Sequence, residues 1–245
     1  MARRTRIVIQ ARMGSSRLPQ KIAALLAGRP MLAYTVRRLQ AAARHAGDAA
    51  SIWEVMVATT SAPADDATER LCRSLGLPCF RGPEHDVLGR YLAAAADLAP
   101  GDTLVRATGD NPFYCPHRTA AIVAEHVRNG DDYTCIENLS YVVPEAIEVG
   151  ALRNMTTLAA DDYCREHVTP YFRRPDCGFR VVQLPPRWRG LRPRVRLTVD
   201  TPAELEQMRR IAGELAGDML APLERIYELY DGAFAAEAHL PEPAA

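Results

Sequence analysis

Short runs rich in β-branched residues alternate with segments of helical periodicity through the first half of this chain. The run Arg6–Ala11 begins the pattern, and apolar residues then follow at helical spacing. Its continuation predicts strands at 54–60, 78–81 and 103–108 and helices at 32–43, 65–75, 86–98 and 116–128. Parallel strands joined by crossover helices produce this order, so the pattern predicts an α/β fold with helices on both faces of the sheet.

The alternation is interrupted between about residues 133 and 194. This stretch predicts a strand near Tyr133, a loop at 138–144, short helices near Ala151 and Glu166, and a strand at 179–183. A strand at 195–200 then leads into a helix that Thr201, Pro202 and Glu204 cap as a capping box. We expect one domain over 1–235 with an insertion at 133–194, and a flexible tail at 236–245.

The charge and cysteine content narrow the class of protein. Lysine plus arginine and aspartate plus glutamate both total 30, which argues against a general nucleic-acid binder. No apolar run approaches the ~20 residues of a membrane helix, and the basic start is followed by an apolar stretch too short for a signal peptide. The six cysteines lack metal-site spacing, which favours reduced thiols. We therefore expect a cytoplasmic protein that binds neither nucleic acid nor membrane.

The loop after the first strand has the composition of a polyphosphate site. It contains Gly14, which permits close backbone approach, Ser15, which offers donors, and the cations Arg12, Arg17 and Lys21. Lys21 is the only lysine in the chain. The loop lacks the glycine pattern of a Walker A or dinucleotide motif. The alternative is a solvated connector that happens to be rich in arginine.

Two aspartates follow predicted strands. Asp110 comes after the strand 103–108, and Asp200 ends the strand 195–200. If both strands are parallel to the first, the two carboxylates share a sheet edge with the Arg12–Lys21 loop. Two oxygen ligands facing a polyphosphate predict a magnesium site. The alternatives are local: Asp110 as a turn former and Asp200 as a partner of a helix dipole.

The stretch Gln10–Lys21 resembles the opening signature of the cytidylyltransferases that make CMP-activated sugars. The SpsF-type branch of spore-coat polysaccharide synthesis is the nearest, and the CMP-KDO and CMP-acylneuraminate synthetases are more distant. The resemblance covers about residues 5–215 and continues through further motifs, at Val57–Thr60, Phe80–Gly82, Asp86–Tyr91, Arg106–Pro112, Glu166–Tyr171 and Arg196–Leu205.

The resemblance implies a three-layer, Rossmann-like mixed sheet, mostly parallel, of the nucleotide-diphospho-sugar transferase (GT-A-like) type. It also implies transfer of CMP from CTP to a small anionic or sugar-like acceptor with Mg²⁺, and a homodimer formed through 133–194. Lys21 and Arg12 would be catalytic, and Asp110 and Asp200 would hold the metal. The implied nucleotide-binding residues are Gln10, Ala11, Arg12, Gly14, Ser15, Arg17, Lys21, Thr59, Thr60, Asp86 and Arg90, and the implied acceptor-binding residues are Glu148, His167 and Arg196.

Several of these residues have simpler alternatives. Thr59 and Thr60 would be ordinary strand-end threonines, His167 a structural histidine, and Asp86 with Arg90 an ion pair within a helix. The sequence also departs from the family at Ala146, where glycine is usual, and after Pro112, both near the expected acceptor pocket. A glycosyltransferase that uses a nucleotide sugar, or a non-catalytic nucleotide-binding protein, would have the same fold.

Overall fold

The computed structural model describes residues 2–46, 51–137, 143–158 and 161–237. Strands and helices alternate along the first half of the chain, as the sequence predicts. The strands are β1 (Arg4–Gln10), β2 (Leu25–Leu26), β3 (Arg29–Pro30), β4 (Ile52–Thr60), β5 (Cys79–Gly82), β6 (Thr103–Thr108), β7 (Tyr133–Ile136), β8 (Glu145–Glu148) and β9 (Val181–Leu184). The helices are α1 (Met31–Ala42), α2 (Asp66–Ser74), α3 (Val87–Ala94), α4 (Pro116–Asn129), α5 (Val149–Leu158), α6 (Asp162–His167), α7 (Pro202–Glu214) and α8 (Leu223–Glu237).

Seven strands form one mixed sheet in the order β5-β4-β1-β6-β8-β7-β9. β1 lies between β4 and β6 and is parallel to both, and β5 extends this parallel part. β8 is antiparallel to both β6 and β7, and β7 pairs with β9 in parallel. The carboxyl ends of β1 and β6 therefore lie side by side, as the sequence predicts.

Alternate residues of β1 point into two different cores. Ile7 and Ile9 belong to the cluster beneath α1, α2, α4, α7 and α8, whereas Val8 belongs to the cluster beneath α3, α5 and α6. All three side chains are fully buried. A strand covered on both faces needs an apolar residue at every position, which explains the continuous run Ile7–Ile9. The three-layer α/β architecture is therefore confirmed.

The prediction of a strand at 195–200 is wrong, because this segment does not pair with any strand of the sheet. Val195, Leu197 and Val199 are buried in the core beneath α7 and α8, while Arg196 is exposed. Packing of one side of an extended segment against a core produces the same alternation as a half-buried strand. The segment is joined to the loop after β6 instead, because the Val199 amide donates to the Asp110 carbonyl at 2.9 Å.

Four elements have no counterpart in the predictions: the two-residue strands β2 and β3, the strand β8 and the helix α8. β8 is short and begins with Glu145, a residue type that usually signals an exposed position. The carboxyl-terminal helix α8 buries Ile226, Tyr227 and Tyr230. The predicted loop 138–144 and tail 236–245 lie largely outside the described residues, and only 143–144 and the helical backbone of 236–237 can be placed.

The predicted capping box of α7 is confirmed. The Thr201 side chain accepts from the Glu204 amide, and the Glu204 carboxylate accepts from the Thr201 amide at 2.8 Å. The same carboxylate accepts from the Asp200 amide at 2.7 Å. α7 thereby fixes the backbone on which Asp200 stands. Among the described helices, none is long and apolar enough to cross a membrane.

Candidate active site

A cleft of about 360 Å³ lies at the carboxyl ends of β1 and β6. The loop that leaves β1 forms one wall, and the end of α6 forms another. Many residues that the sequence predicts for the site line it: Gln10, Ala11, Arg12, Gly14, Ser15, Arg17, Lys21, Asp110, His167 and Asp200. Carboxyl ends of parallel strands are where α/β proteins usually bind ligands.

Asp65 anchors the loop that leaves β1. Its carboxylate accepts from the Met13 amide at 2.7 Å, from the Thr68 hydroxyl at 2.9 Å, and from the Thr60 hydroxyl. Burial by itself raises the pKa of Asp65, but the hydrogen bonds from Thr60, Met13 and Thr68 outweigh burial and hold this pKa below its usual range. A buried charged acceptor thus ties the cation-bearing loop to β4 and α2.

Gly109 allows β1 and the loop after β6 to approach closely. A Cβ at this position would lie 2.9 Å from the Ala11 Cβ and 3.3 Å from the Gln10 carbonyl oxygen. The Gly109 amide donates to that same carbonyl at 2.8 Å. Gly14, by contrast, has open space around it, which leaves room for a ligand. Gly109 is a site residue that sequence reasoning missed, although it directly precedes Asp110.

Lys21 joins the two aspartates at the centre of the cleft. Its Nζ lies 2.8 Å from Asp200 Oδ1 and 3.5 Å from Asp110 Oδ2, and it also donates to the Val199 carbonyl at 2.8 Å. The Thr108 hydroxyl donates to Asp110 Oδ1 at 2.6 Å and fixes its orientation. The carboxylates and the only lysine therefore meet, although Asp200 does not stand on a strand.

Two arginines flank this centre on the cleft's exposed side. Arg17 Nη2 lies 3.1 Å from Asp200 Oδ1, and Arg12 Nη1 lies 2.9 Å from Glu84 Oε1. The Arg17 side chain is largely exposed and the Arg12 side chain is partly exposed, and such pairs contribute little to stability because water screens them. These guanidinium groups are consequently able to exchange their carboxylate partners for phosphate oxygens at little cost.

Some predicted nucleotide-binding residues do not line this cleft. Thr59 and Thr60 are fully buried, and the Thr60 hydroxyl is engaged by Asp65. Asp86 caps α3 by accepting from the Gly89 amide at 2.9 Å, and its other carboxylate oxygen pairs with Arg165. Arg90 is buried and donates to backbone carbonyls, so the alternative of an Asp86–Arg90 ion pair does not describe their contacts.

Two predicted acceptor-binding residues also lie elsewhere. The Glu148 carboxylate accepts from the amides of Gly150 and Ala151 at 2.9 and 2.6 Å, and therefore caps the start of α5. Arg196 is exposed on the segment that leads to α7 and is absent from the cleft lining. Of the three predicted acceptor residues, only His167 reaches the cleft.

A cluster of two arginines around the buried Glu145 carboxylate adjoins the cleft. Arg106 and Arg173 donate to the Glu145 carboxylate at 2.8 and 2.7 Å, and the Tyr133 hydroxyl donates at 2.8 Å. Burial by itself raises the pKa of Glu145, but the two guanidinium groups outweigh burial and lower it. Arg106 also lines the cleft, and its Nε has no hydrogen-bond partner. Sequence reasoning missed this cluster because Glu145 belongs to the unpredicted β8.

The backbone just after His167 is strained. Val168 has φ +69° and ψ −57°, and the Thr169 amide donates to the His167 carbonyl at 2.9 Å, which together define a γ-turn of the rare strained type. Valine seldom adopts a positive φ because its branched Cβ is crowded there. Val168 is fully buried and Thr169 contacts Glu145, so packing maintains the turn that presents His167 to the cleft.

Similarity to known proteins identifies the family of this chain. Residues 6–234 match the model of the family described as cytidylyltransferase. The chain belongs to the cytidylyltransferase family. The spore coat polysaccharide biosynthesis protein SpsF of Bacillus subtilis is 34% identical over 214 residues, which are 84% of this chain and 87% of SpsF. The resemblance to the SpsF-type branch is thereby confirmed, and this cytidylyltransferase is an enzyme that transfers nucleotidyl groups from CTP.

Solved structures share the fold. A cytidylyltransferase from Leptospira borgpetersenii superposes with a TM-score of 0.83 at 24% identity, covering 98% of this chain and 99% of that one. A CMP-KDO synthetase complexed with CTP has a TM-score of 0.61 at 18% identity, covering 86% and 99%. A Mycobacterium tuberculosis protein complexed with manganese has a TM-score of 0.56 at 16% identity, covering 84% and 97%.

Proposed function

We propose that this cytidylyltransferase transfers CMP from CTP to an oxygen of a small anionic, sugar-like acceptor and requires Mg²⁺. The observation that carries the proposal is the meeting of Lys21, Asp110 and Asp200 at the cleft. Cations that bind phosphates and carboxylates that bind a divalent ion are the two components of phosphoryl-transfer sites. The CTP and the manganese present in two structures of the same fold support both components.

The donor set of the cleft fits a magnesium ion. Asp110 and Asp200 offer oxygen ligands, and both side chains are partly exposed to the cleft. Within the described ranges no group of three histidine, cysteine or acidic residues is close enough to form a complete protein cage. Mg²⁺ commonly uses one or two carboxylates and takes its other ligands from phosphates and water. When bound, the ion withdraws charge from the phosphate oxygens and favours attack at phosphorus.

The cations of the β1 loop would hold the triphosphate. Arg17 is exposed and Arg12 partly exposed, and both provide fork-shaped donors, while Lys21 provides a compact charge deeper in the cleft. An acceptor oxygen would form a bond to the α-phosphorus, and the bond between this phosphorus and the oxygen bridging to the β-phosphorus would break. Pyrophosphate would leave with the bridging oxygen, and the proton of the acceptor hydroxyl would be released to solvent.

The cluster of Arg106, Arg173 and Glu145 supports the proposal that the acceptor carries an anionic group, as a sugar acid, a sugar phosphate or a phosphonate does. Arg106 and Arg173 share one carboxylate, so the cluster carries an excess positive charge beside the cleft. A buried charge without a full set of partners is costly, and the unpartnered Arg106 Nε is a donor suited to an oxyanion. His167 would form the opposing wall of the acceptor pocket.

A homodimer formed through the 133–194 region stays a proposal. Leu158 and Tyr163, both within this region, expose 53% and 63% of their surface. Large exposed apolar residues in one region favour a protein contact. Sedimentation velocity should give a dimer for the wild type and a monomer for the double variant Leu158→Ser/Tyr163→Ser, whereas a wild-type monomer would contradict the proposal.

Pyrophosphate release tests the proposed function. We would incubate the enzyme with CTP, Mg²⁺ and a panel of sugar acids, sugar phosphates, phosphonates and matching neutral sugars. The proposal predicts release that depends on both Mg²⁺ and an anionic acceptor, and that Arg106→Gln weakens selection against the neutral sugars. Sugar transfer from a nucleotide sugar, with no release of pyrophosphate from CTP, would instead favour a glycosyltransferase.

A further inference from the structure

A second cavity, of about 450 Å³, lies apart from the cleft, between α1, α4 and α8. The second half of α1 provides Arg38, and the turn after α1 provides Arg44. The start of α4 provides His117 and Arg118, and the start of α8 provides Leu223 and Glu224. Its volume lies within the range of pockets for small ligands, about 300–1,000 Å³. None of its lining residues takes part in the proposed reaction.

Arg38 is the buried cation of this cavity. It has no exposed surface, and burial lowers the pKa of its guanidinium to about 10, so it remains charged at neutral pH. Its Nε and Nη1 donate to the carbonyls of Tyr114, Met219 and Ala221. Within the described ranges its Nη2 has no hydrogen-bond partner, and no carboxylate there forms an ion pair with it. A buried charged donor without a partner destabilises the fold, and a ligand oxygen that accepts from it would remove this cost.

The start of α4 faces the same space. Its N-cap residue, Cys115, provides no side-chain cap, and no acidic residue lies in the first turn. Unpaired amides at a helix start attract anions. Among the arginines of the lining, Arg118 pairs with Glu224 and Arg189 with Glu125, which leaves Arg38 and Arg44 without a carboxylate in the described part of the chain.

We propose that this cavity binds a phosphate oxyanion, either free or carried by a small organic group. Two guanidinium groups that pair with no carboxylate among the described residues, together with an uncapped helix start, match the charge and the acceptor oxygens of a phosphate dianion. The apolar residues Leu220, Ala221 and Pro222 line the rest of the cavity and would contact the organic group of a phosphomonoester. The proposal does not depend on the identity of the acceptor.

Tyr114 and Thr108 connect this cavity to Asp110. Arg38 Nε donates to the Tyr114 carbonyl, and the Tyr114 hydroxyl accepts from the Thr108 amide at 3.1 Å. Thr108 in turn orients Asp110 through its hydroxyl. The cations of the β1 loop are themselves proposed to bind phosphates, so the experiment must separate binding in the cavity from binding in the cleft.

Calorimetric titration of the full-length protein with inorganic phosphate and with ethyl phosphate tests the proposal. The informative variant is Arg44→Glu, which reverses an exposed charge at the cavity and should weaken binding at least about tenfold, the equivalent of ~1.4 kcal/mol. The matched control is Arg37→Glu, an equal charge change at an exposed position of α1 that does not line the cavity, which should leave the affinity within about twofold. Tighter binding of ethyl phosphate would identify a phosphomonoester, and tighter binding of phosphate the free anion.

Lys21→Gln separates this site from the cleft. Phosphate binding that persists in Lys21→Gln and is lost in Arg38→Gln, with thermal melts showing both variants folded, would assign it to the second cavity. If Arg38→Gln does not fold, the comparison of Arg44→Glu with Arg37→Glu decides alone. The proposal is overturned if those two variants bind phosphate equally, if Lys21→Gln abolishes all binding, or if the wild type binds neither ligand at about 10 mM.

Discussion

At the scale of single residues, Lys21 balances the charge of the cleft. Its single positive charge offsets part of the negative charge of Asp200 and Asp110 before any ligand arrives, and its Nζ also donates to the Val199 carbonyl. A phosphate oxygen would replace one of these three partners while the ammonium stays in place, and preorganised charge is the largest contribution in many enzyme active sites.

We expect Lys21→Ala to lower turnover by about 10²–10³ at saturating substrates, because one preorganised charge is lost. Lys21→Arg should restore only part of this loss, since the guanidinium is larger and differently shaped. Initial rates of pyrophosphate release would measure both, and Arg17→Ala, at a more exposed cation, should cost less. Equal turnover of Lys21→Ala and wild type would exclude a role in the reaction.

Asp65 provides a pH-dependent contribution to stability. Its folded-state pKa is lowered, so its contribution is present above the ordinary value of 3.8 and is lost as the pH falls through the folded value. Asp65→Asn should lower the free energy of unfolding at neutral pH by roughly 1–3 kcal/mol and flatten the dependence on pH below about 5. Urea denaturation at several pH values would measure this. Asp66→Asn, at an exposed neighbour, is the control, and identical curves for both variants would contradict the assignment.

At the scale of elements, the hydrophobic pattern of the sequence predicts those helices and strands whose residues are buried in the core. The helix at 32–43 and the strand at 103–108 are observed at Met31–Ala42 and Thr103–Thr108, because one-sided or complete burial leaves a clear periodicity. The segment 195–200 shows the limit of this signal, since burial of alternate residues does not require a strand partner. β8 was missed because its first residue, Glu145, is buried only through distant arginines that the local sequence does not reveal.

The capping box of α7 connects a helix start to the candidate metal site. Glu204→Ala would remove the acceptor of the Asp200 and Thr201 amides, and should lower the free energy of unfolding by about 1 kcal/mol. Freed from this contact, Asp200 should also require a higher Mg²⁺ concentration for half-maximal binding of CTP. Thermal melts and metal titrations would measure the two effects. Glu206→Ala, at an exposed position of the same helix, should change neither, and an unchanged metal requirement in Glu204→Ala would show that the box is only structural.

At the scale of the whole molecule, the parallel half of the sheet presents its carboxyl ends to the cleft, and the sequence predicted this half well. Loop motifs at strand ends are local, so Gln10–Lys21 and Asp110 were found from the sequence and lie together. The acceptor side of the cleft is predicted poorly. His167 reaches the cleft, but Glu148 caps a helix. Arg106 becomes notable only because Glu145 and Arg173, from the 133–194 region, surround it. Long-range charge pairing, unlike periodicity, leaves no regular trace in a sequence.

The central claim is that Asp110 and Asp200 hold the divalent ion with which CTP binds. The most direct measurement is calorimetric titration of CTP, with and without Mg²⁺, into wild type, Asp110→Asn, Asp200→Asn and the double variant. We predict that Mg²⁺ strengthens binding to the wild type and that each single variant loses most of this gain, at least about tenfold, while the double variant is little worse because the two carboxylates act as a unit. Binding without Mg²⁺ should improve slightly in each variant, since a negative charge beside the triphosphate has been removed.

Thermal melts are needed because Asp200 also precedes α7, where its charge contributes about 0.3–1 kcal/mol. Full Mg²⁺-dependent gain in folded Asp110→Asn and Asp200→Asn would contradict the two-aspartate metal site.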